Sequence, residues 1–164
     1  MSRLVEALEQ IAFTRRYLLE RLDTVPLAQW FTVPAGAPYH IAWEVGHITM
    51  AQYRLCLERL RPRTAADETL ISNEFIHTFR RESLAEEATG VSAEQIRATF
   101  DRVHARILEE LPSYPDADLD LPPLAPHPLF ATRIASLRYA PLHEMIHCGQ
   151  IAVLRRMLGQ KPVW

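Results

Sequence analysis

Apolar residues recur at steps of three, four and seven residues along four stretches of the chain, with charged residues between them. This spacing places the apolar side chains on one face of an α-helix. The stretches are residues 3–23, 38–60, 92–112 and 132–158. The pattern therefore predicts an all-α protein built on four long amphipathic helices.

Local signals mark where some of these helices begin and end. Ser92 and Gln95 match the S/T-x-x-E/Q capping box, in which the two residues satisfy each other's backbone N–H groups. Gly159 follows the last apolar position of the fourth stretch and predicts its end. Pro141 lies inside that stretch, where it removes one backbone hydrogen bond and predicts a kink just before His143.

Three connections separate the predicted helices. Residues 26–38 form a loop, and residues 64–90 are polar apart from a short helix expected over about Ser72–Arg81. Residues 112–131 are rich in proline and aspartate and are long for a connection without a helix or strand of its own. We expect this last segment, with His127, to be a solvated crossing loop.

The composition favours a helical bundle and excludes several function classes. Only 5 glycines accompany 12 prolines, and the prolines cluster between the predicted helices, so residues 1–164 are most simply one helical domain. The formal net charge is −2 and no basic cluster stands out, which argues against a nucleic-acid partner. The sequence has no run of 18 apolar residues, so we expect no membrane-spanning helix. Cys56 and Cys148 form no C-x-x-C pair, which favours a reducing, cytoplasmic setting.

The chemistry of the chain concentrates in the fourth stretch, at His143-Glu144-Met145-Ile146-His147. Two histidines four residues apart lie about 40° apart around a helix and one turn apart along it, so both can reach one metal ion. The letters H-E-x-x-H also match the zinc metalloprotease motif, in which the glutamate acts as general base. The motif alone leaves a protease and another metal site open.

The protease interpretation fails because its third metal ligand is missing. That ligand normally follows the motif on the chain. Only 17 residues follow His147, and none is His, Asp or Glu. No strand pattern precedes the helix to bind a substrate backbone. A third ligand must therefore lie upstream of the motif.

His47 is the best upstream candidate, because it lies on the inward face of the second predicted helix. Three histidines would leave one coordination position open, which is typical of catalytic zinc, although imidazole also suits nickel, copper and iron. The alternative is that His143 and His147 are hydrogen-bonded core residues. Of the other histidines, we expect His40 and His77 at the surface and His104 beside the buried stripe.

Three groups of residues resemble the DinB-like (DNA-damage-inducible) superfamily over nearly the whole chain. They are Trp43-x-x-Gly46-His47, His143-x-x-x-His147-x-Gly149-Gln150-Ile151 and Leu154-Arg155-Arg156-x-Leu158-Gly159. The resemblance implies a four-helix bundle in an up-down-down-up arrangement, commonly a homodimer. It also implies a divalent metal bound by His47, His143 and His147. Relatives in the superfamily include bacillithiol- and mycothiol-dependent S-transferases and a mycothiol-dependent maleylpyruvate isomerase.

The leading functional hypothesis is an enzyme with zinc or nickel at the three histidines. Such a metal lowers the pKa of a bound water or low-molecular-weight thiol, which implies either a hydrolase or an S-transferase acting on a small molecule. Glu144 is a candidate base at the border of the site, with a solvated or interhelical glutamate as the alternative, and Gln150 is a candidate supporting residue or a residue packed at the helix interface. The competing hypothesis is a non-catalytic, metal-binding dimeric stress protein. An open cavity over the histidines would favour the enzyme.

Overall fold

The computed structural model describes residues 2–85, 88 and 90–163, and these residues form an all-α structure. Its α-helices follow in chain order: α1 (Arg3–Leu22), α2 (Ile41–Tyr53), α3 (Ala65–Leu70), α4 (Asn73–Thr78), α5 (Ala93–Glu110) and α6 (Arg133–Met157). The long helices α1, α2, α5 and α6 are the four that the apolar spacing predicts. No helix in the described ranges is both long enough and apolar enough to cross a membrane.

Side-chain caps start most of these helices. Ser2, Ser92 and Thr132 each accept a backbone N–H of the first turn, which would otherwise lack a partner. The capping box of Ser92 and Gln95 is confirmed, with both of its hydrogen bonds present. The sequence pattern therefore locates the start of α5 and of α6 correctly.

The second helix begins at Ile41 rather than at Pro38, because His40 caps its first turn. His40 caps α2, and its Nδ1 accepts the backbone N–H of Trp43 at 3.0 Å. Its Nε2 lies 3.1 Å from the carbonyl oxygen of Ala85, so both ring nitrogens have partners and the side chain is buried. The expectation of a solvated His40 is therefore wrong.

Two features of the long helices bear on the site. Beyond Tyr53, α2 continues as a π-helical turn over Arg54–Glu58, in which the N–H of Arg59 donates to the carbonyl of Arg54 at 3.1 Å. In contrast, α6 runs without a break from Arg133 to Met157 and contains Pro141 within it. Both histidines of the motif therefore lie on one continuous helix.

The connections contain more structure than the sequence pattern predicts. The short helix expected over Ser72–Arg81 is α4, and α3 precedes it although no pattern predicted it. In the proline-rich connection, residues 116–120 form a 3₁₀ turn. The guanidinium of Arg3 binds the carboxylates of Asp116 and Asp120 there, which fixes this loop to the start of α1. The loop is thus anchored rather than simply solvated.

The core lies where α6 packs against α1 and α2, and where α2 packs against α5. Its fully buried apolar side chains come from all four long helices and include Ile11, Leu18, Val45, Ile48, Phe100, Ile107, Leu137 and Ile151. Every residue of α2 is buried. The helix that carries His47 is therefore enclosed along its length, which fixes its rotation relative to α6.

Candidate metal centre

The structure brings His47 of α2 together with His143 and His147 of α6. One potential ligand atom from each ring can be chosen so that all three lie within 4.8 Å of one another. Within the described ranges this is the one group of three or more His, Cys, Asp or Glu side chains with such spacing. Residues almost a hundred positions apart in the chain thus form one cluster.

Hydrogen bonds orient two of the three rings. The Nδ1 of His47 lies 2.8 Å from the carbonyl oxygen of Phe79, which can only accept, so Nδ1 carries the proton. The Nδ1 of His147 lies 2.6 Å from Oε2 of Glu44 and donates to that carboxylate. In both rings this leaves Nε2 unprotonated and available as a metal ligand.

The donor set fits a divalent transition metal. In a tetrahedral site with metal–nitrogen bonds of 2.0–2.1 Å, neighbouring nitrogens lie about 3.4 Å apart. The Nε2 atoms of His143 and His147 are 3.3 Å apart. This distance also suits a hydrogen bond in which a neutral His143 donates its Nε2 proton to the Nε2 of His147. A metal ion would replace that proton and use the same two nitrogens as ligands.

Burial keeps the imidazoles neutral. Desolvation lowers the pKa of His47 to about 4, and that of His143 to about 3, with the neighbouring histidines adding to both shifts. A metal ion binds only the unprotonated nitrogen, so these two ligands need lose no proton near neutral pH. His47 and His143 are therefore both neutral at pH 7.

These lowered pKa values predict that the metal-free protein loses stability in mild acid. Below pH 6.5 the unfolded chain protonates these histidines, whereas the folded chain does not until pH falls to about 4 and about 3. Stability therefore falls as pH falls through this window, by on the order of 2 kcal/mol per histidine between pH 6.5 and pH 5. Urea unfolding at both pH values measures it. Burial also lowers the pKa of His104 to about 3, so His143→Gln should lose about a third of the total dependence. The exposed His77→Gln should lose none of it, and equal dependence in all three proteins would contradict the prediction.

Glu44 is the functional residue that the sequence reasoning missed. Its side chain is buried, and it lies three residues before His47 on α2, yet it contacts His147 of the other helix. A buried carboxylate next to an imidazole holds the ring in one orientation and increases the basicity of its other nitrogen. The only signal in the sequence is an acidic residue on an otherwise apolar helix, next to Trp43.

Gly46 matters because of the residue that orients His47. A Cβ built on Gly46 would overlap the ring of Phe79, whose carbonyl accepts the His47 N–H. We expect Gly46→Ala to displace this ring and to cost about 1–3 kcal/mol of unfolding free energy, the usual range for overpacking. Thermal unfolding measures it. Gly149→Ala is the matched control, since nothing lies within 4 Å of a Cβ there. Equal stability of the two variants would contradict the prediction.

Glu144 does not reach the metal centre. It points into the core, where its Oε1 accepts the Nε–H of Arg15 at 2.7 Å and its Oε2 accepts the side-chain amide of Gln52 at 2.9 Å. The side chain is 1% exposed. Both carboxylate oxygens are thus engaged away from the cleft. The structure places Glu144 as an internal ion pair rather than at the border of the site.

An open cleft of about 790 Å³ covers the three histidines. Aromatic side chains of Tyr39, Trp43 and Tyr139 line it, and the Trp43 ring stacks on that of His47 with centroids 4.8 Å apart. Gln150 lines it as well. A small organic molecule fits this volume and can approach the histidines from solvent.

The remaining histidines fall in different places. His77 is exposed, as expected, and His104 of α5 does not line the cleft. His127 was expected in solvent but lies at the cleft, stacked on Phe130 with ring centroids 4.4 Å apart. Burial, together with the charges of Arg59 and Arg81, lowers its pKa. The proline-rich connection therefore contributes one wall of the cleft.

Comparison with protein families matches the chain to the model of the DinB superfamily over residues 10–151. This range includes all three clustered histidines and the whole of helices α2–α5. Comparison with curated proteins finds no match.

Proposed function

The chain belongs to the DinB superfamily, and on that basis we propose that it is an enzyme with a divalent metal held by His47, His143 and His147. The observation that carries this proposal is the convergence of three histidines beneath an open cleft. Three protein ligands leave one coordination position free, whereas a purely structural zinc site is closed by four. A cleft that admits small molecules favours catalysis over metal binding alone.

Zinc and nickel both suit the three imidazoles, and either lowers the pKa of a bound thiol or water. The protein's own residues then have separate tasks. Glu44 stabilises and orients His147, and the carbonyl of Phe79 does the same for His47. The aromatic wall formed by Tyr39, Trp43 and Tyr139 gives an apolar face for a substrate.

We favour an S-transferase that uses a low-molecular-weight thiol. The cleft contains no carboxylate placed to act as a base: its lining has no Asp or Glu among the described residues, and Glu144 is engaged in the core, so that a bound water would depend on His127 as its base. A thiol is acidic enough to bind as a thiolate near neutral pH without such a base. Hydrolysis of an amide or ester by bound water is the second candidate.

For the assembly, we propose one cytoplasmic domain in which the four long helices form an up-down-down-up bundle that pairs as a homodimer. Exposed apolar side chains on α1 and α6 support the pairing: Phe13, Leu142, Ile146 and Val153 are each more than half exposed. Side chains of this kind that lie together are typical of protein–protein contacts.

The test begins with metal analysis of protein purified without a His tag, where we expect close to one zinc or nickel per chain. Cobalt-loaded protein is then titrated with 2-mercaptoethanol and with glutathione. A thiolate-to-cobalt absorption band supports the thiol proposal, and electrophilic substrates then separate transferase from hydrolase activity. Protein that neither retains nor takes up any metal would overturn the proposal.

Glu44 provides a graded test of the site. Glu44→Gln keeps an acceptor for the His147 N–H but loses the charge, and we expect about ten-fold weaker zinc binding. Glu44→Ala loses the acceptor as well, and we expect about 100-fold weaker binding, the upper part of the usual range for such supporting groups. Competition with a chromophoric chelator measures both. Glu109→Gln, on the exposed face of α5, is the control, and equal affinity in all variants would rule out the role of Glu44.

A further inference from the structure

The second feature of the cleft is its positive charge. Arg54, Arg59 and Arg81 line it, and no carboxylate does so within the described ranges. A second cavity of about 400 Å³ adjoins it, because Met50, Arg54 and Arg81 line both. Arg80 adds a fourth guanidinium there, against one acid, Glu82. The whole chain has a formal charge of −2, so this concentration of cations is local.

The π-helical turn explains how two of these arginines reach the same place. In an α-helix, residues five apart lie about 140° apart around the axis, so Arg54 and Arg59 would face different neighbours. Here the N–H of Arg59 bonds to the carbonyl of Arg54, which closes an i to i+5 ring and stacks one residue above the other. Both side chains consequently line the cleft.

The hydrogen-bonding capacity of these two arginines is incompletely used. The Nε of Arg54 and the Nε of Arg59 are both buried, and neither donates a hydrogen bond within the described part of the chain. The Arg54 side chain is 40% exposed, and its Nε forms an ion pair with the carboxylate of Glu58 at 3.5 Å without a hydrogen bond. Arg59 instead lies over the ring of Phe130, 5.6 Å from its centroid. Buried guanidinium donors without acceptors are costly unless a ligand supplies the acceptor.

From this arrangement we infer that Arg54 and Arg59, with Arg81 at the rim, form a subsite for the oxyanion group of the substrate. The group is a carboxylate or a phosphate, since both accept planar guanidinium donors in pairs. The reactive end of the same molecule faces the three histidines, and its apolar part lies against Trp43 and Tyr139. The reaction that the bound molecule undergoes rests on the proposed function. The binding of the oxyanion to the arginines does not depend on it.

The binding is therefore tested on the full-length chain without metal, by calorimetry with three aromatic probes. Benzoate and phenyl phosphate carry the two oxyanions, and benzamide is the neutral analogue. At low ionic strength, where such charges are least screened, we expect at least one anion to bind about ten-fold more tightly than benzamide. The stronger anion identifies the group as carboxylate or phosphate.

Variants locate the subsite. Arg54→Gln and Arg59→Gln should each reduce the preference for the anion to about two-fold, whereas Arg59→Lys, which keeps the charge but loses the planar pair of donors, should reduce it less. Arg106→Gln, an exposed arginine of α5 outside the cleft, should leave the preference unchanged. The inference is overturned if benzamide binds as well as both anions, if no probe binds, or if neither glutamine variant reduces the preference. If the parent protein binds no zinc but still prefers an anion to benzamide, the proposed function is overturned and the oxyanion subsite is not.

Discussion

Replacing His147 with alanine should abolish stoichiometric metal binding. The Nε2 of His147 lies 3.3 Å from that of His143, and its Nδ1 is held by Glu44. The substitution removes one of the three proposed ligands. Among these three, His147 is the one whose ring donates to a carboxylate, that of Glu44. Because two histidines bind zinc far more weakly than three, we expect affinity to fall by more than about 100-fold, beyond the effect of losing a supporting group. Metal content after dialysis and chelator competition measure it.

The control must separate loss of a ligand from loss of folding. His77→Ala removes an exposed histidine and should leave metal content unchanged. His147 is buried and its removal leaves the buried carboxylate of Glu44 without its partner, so helical circular dichroism must show that His147→Ala remains folded before its metal content is compared. If folded His147→Ala protein keeps one tightly bound metal per chain, the three-histidine site is wrong.

Glu144→Ala should destabilise the fold by about 3–5 kcal/mol, the usual cost of breaking a buried ion pair from one side. The change leaves the guanidinium of Arg15 buried without its carboxylate, since Arg15 is 2% exposed. Gln52 loses a partner at the same time. Arg15 also bonds the carbonyl of Phe100 and lies 3.5 Å from the centroid of its ring, so the network joins α1, α2, α5 and α6. Urea unfolding measures the loss.

Two variants test the cause of this destabilisation. Glu109→Ala removes an exposed carboxylate of α5 and should change stability by less than about 0.5 kcal/mol. The triple change Arg15→Met, Gln52→Leu and Glu144→Leu removes both charges together with the buried amide that bonds to them, and should recover much of the lost stability because an apolar group of similar volume needs no compensation. A Glu144→Ala variant as stable as the parent would show that the ion pair contributes little.

The sequence predicted the long helices and the histidine cluster because both depend on periodicity. Many apolar positions at helical spacing support each long helix, so an error at one position matters little. The helices α1, α2, α5 and α6 were therefore predicted, with errors of a few residues at their ends. His143 and His147 share a face through their own spacing. His47 was found by its inward position and by its resemblance motif.

The predictions that failed concern single side chains whose partners lie far away in sequence. For Glu144 the sequence left a base at the border of the site and an interhelical position open, and its bonds to Arg15 and Gln52 give the interhelical one. Glu44 looked unremarkable because its partner, His147, is on another helix. His40 was expected in solvent because it lies at the start of a helix, but its ring caps α2 and contacts the carbonyl of Ala85. Contacts between residues that lie far apart in the sequence produce no periodic pattern, so the sequence could not predict these.

The π-helical turn at Arg54–Glu58 contains one residue more than a regular α-helical turn between Arg54 and Arg59. Deleting one residue there would convert the i to i+5 ring into an ordinary i to i+4 ring, in which the two arginines still share a face about 40° apart. A further inserted residue would instead place them about 120° apart on an α-helix, while His47 and Glu44, which precede the turn, would keep their positions. Insertions in this segment can therefore alter the arginine pair without moving the three clustered histidines, so that the two properties can diverge independently among related chains.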